Sequence, residues 1–419
     1  MRRHKFSGII IGILAIVVAT LTMASGAAAS TFKVLHTFSW ANGPEGSLVF
    51  DTAGNLYGAT VVGGAYGNGV VYRLAPNSNG SWTVSILYSF KGGTDGANPS
   101  GGLTFDAVGN LYGTTPYGGG GGICGGCGIV FKLAPHPDGT WTESVLHRFS
   151  GADGTYPFAG LTLDAAGNLY GTTVSGGGCS FRGLVTCGVV YKLAPNPDGS
   201  WTESVLHSFS GPDGVAPASG VTLDASGNLY GTTDWGGGCV HELGCGVVYK
   251  LAPSLDGSWT ESVLHSFSGT DGAYPFAGLT LDAAGNLYGT TADGGACSLG
   301  GVFGCGVVFR LAPNPDGSWT ESVLHSFHGT DGDAPHYGLT FDEAGNLYGT
   351  TAYGGSFGYG VVFKLTPTTT CWKETILHTF VGYGKHPYAP LIFDRAGNLY
   401  GSVELGGSNN MGFVFRITR

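Results

Sequence analysis

The side chains with chemical potential in this sequence are a few carboxylates, His, Tyr and Cys. His336, Tyr388 and Glu45, with Asp333 three residues before His336 and His386 two before Tyr388, could form a His–carboxylate–Tyr set. Such a set can transfer protons or hold a divalent ion. Tyr117, Phe158, Trp235, Phe276 and Tyr353 could stack on sugar rings or anchor a partner; Tyr117, Trp235 and Tyr353 could equally be packing. Eight of the nine cysteines fall in local pairs, Cys124/Cys127, Cys179/Cys187, Cys239/Cys245 and Cys297/Cys305. Four short disulfides are expected from them in an oxidising compartment. Cys124-Gly-Gly-Cys127 also has the spacing of a redox or metal motif, but no second pair follows in its loop, as a zinc site would need. Cys371 has no local partner and reads as a free thiol. No Gly-x-Ser-x-Gly, Walker or His-Glu-x-x-His motif occurs.

Whether these residues meet depends on a repeat. Gly-Asn-Leu-Tyr-Gly occurs seven times, starting at Gly54, Gly109, Gly167, Gly227, Gly285, Gly345 and Gly397. Each unit reads as four strands, rich in β-branched and aromatic residues and bounded by Gly, Pro and Asp. In the fifth unit these are A (278–282), B (286–291), C (306–311) and D (319–327). Asp282-Ala-Ala-Gly-Asn286 and Pro315-Asp-Gly-Ser318 suit tight hairpin turns, which gives an antiparallel meander. The last unit ends at strand C, Gly412–Ile417, and a lone strand D, Thr31–Phe38, opens the mature chain. A closed ring uses both pieces to complete one blade and remove the sheet edges. The expected fold is therefore all-β: a seven-bladed β-propeller of four-stranded antiparallel blades, its last blade closed by the N-terminal strand, in one domain over residues 30–419.

Residues that recur in every unit are read as architecture. The turn aspartates (Asp164 and its six equivalents) are turn formers before they are calcium ligands, since one carboxylate per loop is thin for that ion. The basic residue of strand C and the Glu of strand D, for instance Lys192 and Glu203, are placed to pair across their hairpin. The strand D histidines are read as packed spacers. Chemistry is expected where the repeats differ, on the face carrying the long B-to-C and D-to-A loops. There one ring, just before strand A, holds Glu45, Ser100, Phe158, Ala218, Phe276, His336 and Tyr388. A second, after strand B, holds Val62, Tyr117, Ser175, Trp235, Asp293, Tyr353 and Leu405. With strand A innermost, the first ring surrounds the channel mouth.

Composition bounds the function. The chain has 419 residues, of which 78 are Gly and 11% charged, with 42% hydrophobic; this excludes helical bundles and disordered chains. Residues 1–29 read as a signal peptide: Arg2-Arg3-His4-Lys5, an apolar run from Phe6, then Ala27-Ala28-Ala29. Membrane contact is expected only if that segment stays uncleaved. The net charge is −10, and −13 without residues 1–29, which argues against nucleic acid as a partner. Beyond the repeated positions, six carboxylates remain for the loop face: Glu45, Asp234, Glu242, Asp293, Asp333 and Glu404.

The unit Gly-Leu-Thr-Leu-Asp-Ala-Ala-Gly-Asn-Leu-Tyr-Gly-Thr-Thr, followed by Gly-Gly and Gly-Val-Val-Phe-Lys-Leu, resembles the GloVer-type tandem repeat of exported bacterial proteins, the choice-of-anchor group. The resemblance spans residues 31–419 and implies the repeat fold and export, with no activity attached. Leu-Thr-Leu-Asp-x-x-Gly-Asn-Leu-Tyr is more weakly similar to NHL-type propeller repeats, a group that includes both binding scaffolds and lyases or lactonases.

The expected function is a monomeric, exported, non-catalytic binding or scaffold module for an extracellular or envelope protein or carbohydrate, extracellular, on the cell surface or in the periplasm. No cofactor is called for. The alternative is a metal-assisted hydrolase or lyase with a divalent cation at the channel mouth, served by Glu45, His336, Tyr388 and Asp333; a rim without chemistry is preferred.

Overall fold

The computed structural model describes residues 30–39, 43–120, 125–179, 186–239, 243–297, 304–382 and 384–418. The signal segment, Cys124 and Glu242 lie outside them. Seven four-stranded antiparallel sheets form a ring. In blade 3 the strands are Thr162–Leu163, Leu169–Thr173, Val189–Pro195 and Trp201–Ser208, which are A to D in chain order. The seventh sheet takes A, B and C from Ile392–Phe393, Leu399–Val403 and Phe413–Thr418, and its fourth strand, Thr31–Thr37, from the other end of the chain. Thr31 lies opposite Thr418 and Thr37 opposite Phe413, so the ring closes by backbone pairing.

Strand B, Leu-Tyr-Gly-Thr-Thr in five of the seven blades, is buried along its whole length in all of them. Its central Gly is required by packing. A Cβ on Gly171 would lie 2.4 Å from the Tyr191 hydroxyl, because the strand C ring crosses that point. Apolar clusters fill the seams between neighbouring blades; one joins Tyr170, Val190 and Phe209 of blade 3 to Leu229, Tyr249 and Leu251 of blade 4. On strand A, Thr104 Oγ1 donates to Leu161 O of the next blade at 2.6 Å, and Thr162, Thr222, Thr280 and Thr340 repeat the bond around the axis.

The turn aspartates do form turns. Asp164 Oδ1 accepts from the Ala166 and Asn168 amides, and Oδ2 from Asn168 Nδ2 and Tyr170 Oη, at 2.7–3.1 Å. Burial pushes this carboxyl up, but the four hydrogen bonds outweigh it and hold it below its usual range.

The cross-strand Lys–Glu pairs do not form. Lys192 stands opposite Ser204, and Glu203 opposite Leu193. This one-residue offset puts the two side chains on opposite faces of the blade. Lys192 instead lies over the ring of its strand B partner Tyr170, 5.8 Å from the centroid, and Lys132, Lys250 and Lys364 do the same with Tyr112, Tyr230 and Tyr348. The Glu side chains turn to the neighbouring blade.

Cys179–Cys187, Cys239–Cys245 and Cys297–Cys305 are disulfides, and Cys371 is an exposed free thiol. Of the remaining expected pair, Cys127 is buried and Cys124 is outside the described residues. Three short disulfides point to an oxidising, non-cytoplasmic location. Among the described residues, no helix is long and apolar enough to cross a membrane.

Candidate functional site at the channel mouth

Blades 2 to 7 enter strand A through a left-handed residue followed by Pro. The left-handed residue is Asn98, Tyr156, Ala216, Tyr274, Ala334 or His386, with φ between 53° and 62°. Non-Gly residues adopt this conformation only when their surroundings enforce it. In blades 2 to 5 the residue two positions later lines the axis. In blade 1 the equivalent is Gly43, where a Cβ would lie 2.0 Å from the Glu404 carbonyl oxygen. Gly43 N also donates to that oxygen at 3.1 Å, so blade 1 docks closely on blade 7.

These segments surround an axial cavity of about 410 Å³. Glu45, Ser100, Phe158, Ala218 and Phe276 line it, as the first ring requires. Blades 6 and 7 depart from the pattern: Tyr337 and Pro390 line the cavity there, and His336 and Tyr388 do not. His336 sits 5.2 Å from Phe276 and 6.3 Å from Tyr388, centroid to centroid. Tyr388 stacks on His386 at 5.2 Å and lies 5.7 Å from Tyr337, and Tyr353 meets His386 edge-on at 4.9 Å. An aromatic arc therefore runs from Phe276 across blades 6 and 7 to the carboxylates of Glu45 and Glu404.

Burial dominates the electrostatics. It pushes Glu45 up to about 7, with Glu404 adding to the shift, and raises Glu404 itself. His336 is driven down to about 4 by burial and then by His386, so it is neutral at pH 7. The Tyr337 hydroxyl is raised by burial and by Glu45. A carboxyl near 7 beside phenols and a neutral imidazole can donate or accept hydrogen bonds, or a proton, at neutral pH.

The other expected residues are more dispersed. Tyr117 and Phe158 are exposed and meet edge-on at 6.2 Å, with Tyr156 5.6 Å from Tyr117, as a second aromatic patch across blades 2 and 3. Tyr353 is exposed at the rim. Trp235 is packed against the core between blades 3 and 4. Asp333 is half-buried, its backbone bridged to Tyr353. Asp293 is bridged likewise to Ala273, and Asp234 is buried. Tyr337 was overlooked in the sequence although a signal is there. Its column reads Gly46, Gly101, Ala159, Ser219, Ala277 and Ala389 in the other blades, so one large aromatic stands among small residues.

Among the described residues, His, Asp and Glu donors close enough to share a metal ion are found away from the mouth, at the outer seams between blades.

The profile of the Gloeobacter/Verrucomicrobia repeat matches residues 17–185, 126–306 and 177–415. The chain belongs to this repeat family. No curated protein matches it. It is similar to a solved structure from Bacteroides uniformis ATCC 8492 described as a "putative 6-phosphogluconolactonase", at 16% identity over 87% of this chain and 95% of that one, with a TM-score of 0.50. A structure of the same description from Bacteroides fragilis NCTC 9343 is 16% identical over 83% of this chain and 86% of that one, with a TM-score of 0.49. At such identity the first likeness shows the propeller fold alone.

Proposed function

We propose that this member of the Gloeobacter/Verrucomicrobia repeat family is an exported, non-catalytic module that binds a small carbohydrate at its channel mouth, outside the cytoplasm. The asymmetry of the mouth carries this reading. Phe158, Phe276 and Tyr337 give the roughly 410 Å³ cavity its aromatic wall, while Glu45 offers a hydrogen-bonding carboxyl on one side. Sugars present apolar faces to rings and hydroxyls to such groups, and the volume lies in the usual range for small-molecule sites. Titration of the disulfide-intact protein with mono- and disaccharides, followed by calorimetry, tests it. Saturable binding that falls tenfold or more (about 1.4 kcal/mol) in Phe276→Ala and Tyr337→Ala is expected. Absence of binding across the panel, or binding untouched by both changes, overturns it.

One observation favours the alternative, a metal-assisted hydrolase or lyase using Glu45, His336, Tyr388 and Asp333. A carboxyl raised to about 7 is poised for general acid/base work. Glu45→Gln separates the two readings: it abolishes turnover of a hydrolysable glycoside or lactone if the site is catalytic, and leaves carbohydrate affinity within a few fold if the module only binds.

A further inference from the structure

Register keeps the strand D glutamates away from the strand C cations of their own blade. Each faces a loop Asp of the preceding blade across the outer seam, and at four of the five seams that blade's strand D also offers a His. His147 Nε2 and Asp153 Oδ2 lie 2.9 Å apart, as do His207 Nε2 and Asp213 Oδ2. At these two seams Glu203 and Glu261 bring a carboxylate oxygen so that all three donor atoms fall within 4.8 Å of one another. Glu203 Oε1 and Glu261 Oε1 are shielded from solvent and accept no hydrogen bond.

The repeat gives an independent observation. A loop Asp and the facing Glu occur together at five seams: Asp95 with Glu143, Asp153 with Glu203, Asp213 with Glu261, Asp271 with Glu321, and Asp331 with Glu374. At the two seams flanking blade 7 both are absent. Phe32 and Val84 stand at the Glu positions, and the loops after His378 and His36 hold no Asp. Two carboxylates repel, so their joint presence and joint absence fit a positive charge or a proton held between them, and the converging His at two seams favours a cation there.

The geometry points to two divalent-metal sites, His147–Asp153–Glu203 and His207–Asp213–Glu261, each clamping neighbouring outer strands. One imidazole and two carboxylates suit Zn²⁺ or Mn²⁺, and water would complete the shell. The His then presents an unprotonated Nε2, its proton residing on Nδ1. At seam 1–2 Tyr88 replaces the His and donates to Asp95 at 2.6 Å, which removes the nitrogen ligand there.

Calorimetric titration with Zn²⁺ of the disulfide-intact chain carrying Cys371→Ser, which removes the exposed thiol, tests the inference. About two saturable equivalents are expected, one for each converging group. Glu203→Gln should leave one, and Glu203→Gln with Glu261→Gln none, while Glu143→Gln keeps both. Should the double Gln variant fail to fold by circular dichroism, His147→Gln with His207→Gln must show the same loss. No saturable uptake by the parent protein, or uptake undiminished in a folded double variant, overturns the inference and leaves a shared proton as the bridge between the carboxylates.

Discussion

Two kinds of seam hold this ring together. Five carry an Asp and a Glu facing each other across neighbouring outer strands. The two that flank blade 7 carry none, and the closing strand brings aromatic packing instead. Phe32 occupies the Glu position, stacks on His378 with centroids 3.7 Å apart and packs edge-on against Phe380 and Phe413. The contrast follows from covalent connection. In blades 1 to 6 strand D is joined to strand C by a short hairpin, so its seam can tolerate charge. Blade 7 borrows its strand D from the far end of the chain and must hold it without that tether, by ladder hydrogen bonds and apolar contact.

Importing the acid into the closing seam should break the comparison most severely. Phe32→Glu deletes the stack and buries a charge without an Asp or a cation, and a loss of about 2–4 kcal/mol in urea unfolding is expected. An unchanged midpoint would show that the closing strand is held by its ladder alone. His207→Ala removes a partner of the half-buried Asp213 at an acidic seam; a smaller loss, about 1–2 kcal/mol, should appear in the same measurement.

The pH response sharpens the difference. In the metal-free protein burial, with a nearby Asp adding to it, pushes Glu203 and Glu374 up to about 7 from an ordinary 4.5. Folding therefore favours their protonated forms. Their contribution is complete below about 4.5 and is lost as pH rises through about 7, by less than roughly 1 kcal/mol each after discounting for solvent exposure. Melting temperature should fall over that interval in the presence of chelator, and Glu203→Gln with Glu374→Gln should flatten the slope. A slope unchanged by both substitutions places the titration elsewhere. The smallest effect belongs to Lys192 and Glu203: a double-mutant cycle should give a coupling under about 0.3 kcal/mol, since they occupy opposite faces of one blade. A coupling above that would show that the register shifts in solution.

The ring, the blade count and the closing strand were legible because they rest on local information: seven copies of one turn, and a surplus strand at one end that matches a deficit at the other. The turn aspartates were legible for the same reason, since every partner lies within six residues. The Lys–Glu pairing was misread because counting along a hairpin cannot fix register to one residue, and one residue reverses the face. The His–Asp–Glu seams were missed because the Glu comes from the next blade, about 50 residues further on. At the mouth, Glu45 and Phe276 were found by their place in the ring. Tyr337 was passed over because it sits one position off the column being read, and it lines the cavity where His336 and Tyr388 do not.

The sequence by itself determined the architecture, since each repeat encodes one meander that must bury its faces against a neighbour. It also determined which loop cysteines could meet, because partners six or eight residues apart need no distant element. Only the tertiary structure decided which charges face one another and which side chains line the axis. Those contacts join blades through space, and their energies depend on burial and register that no single repeat contains.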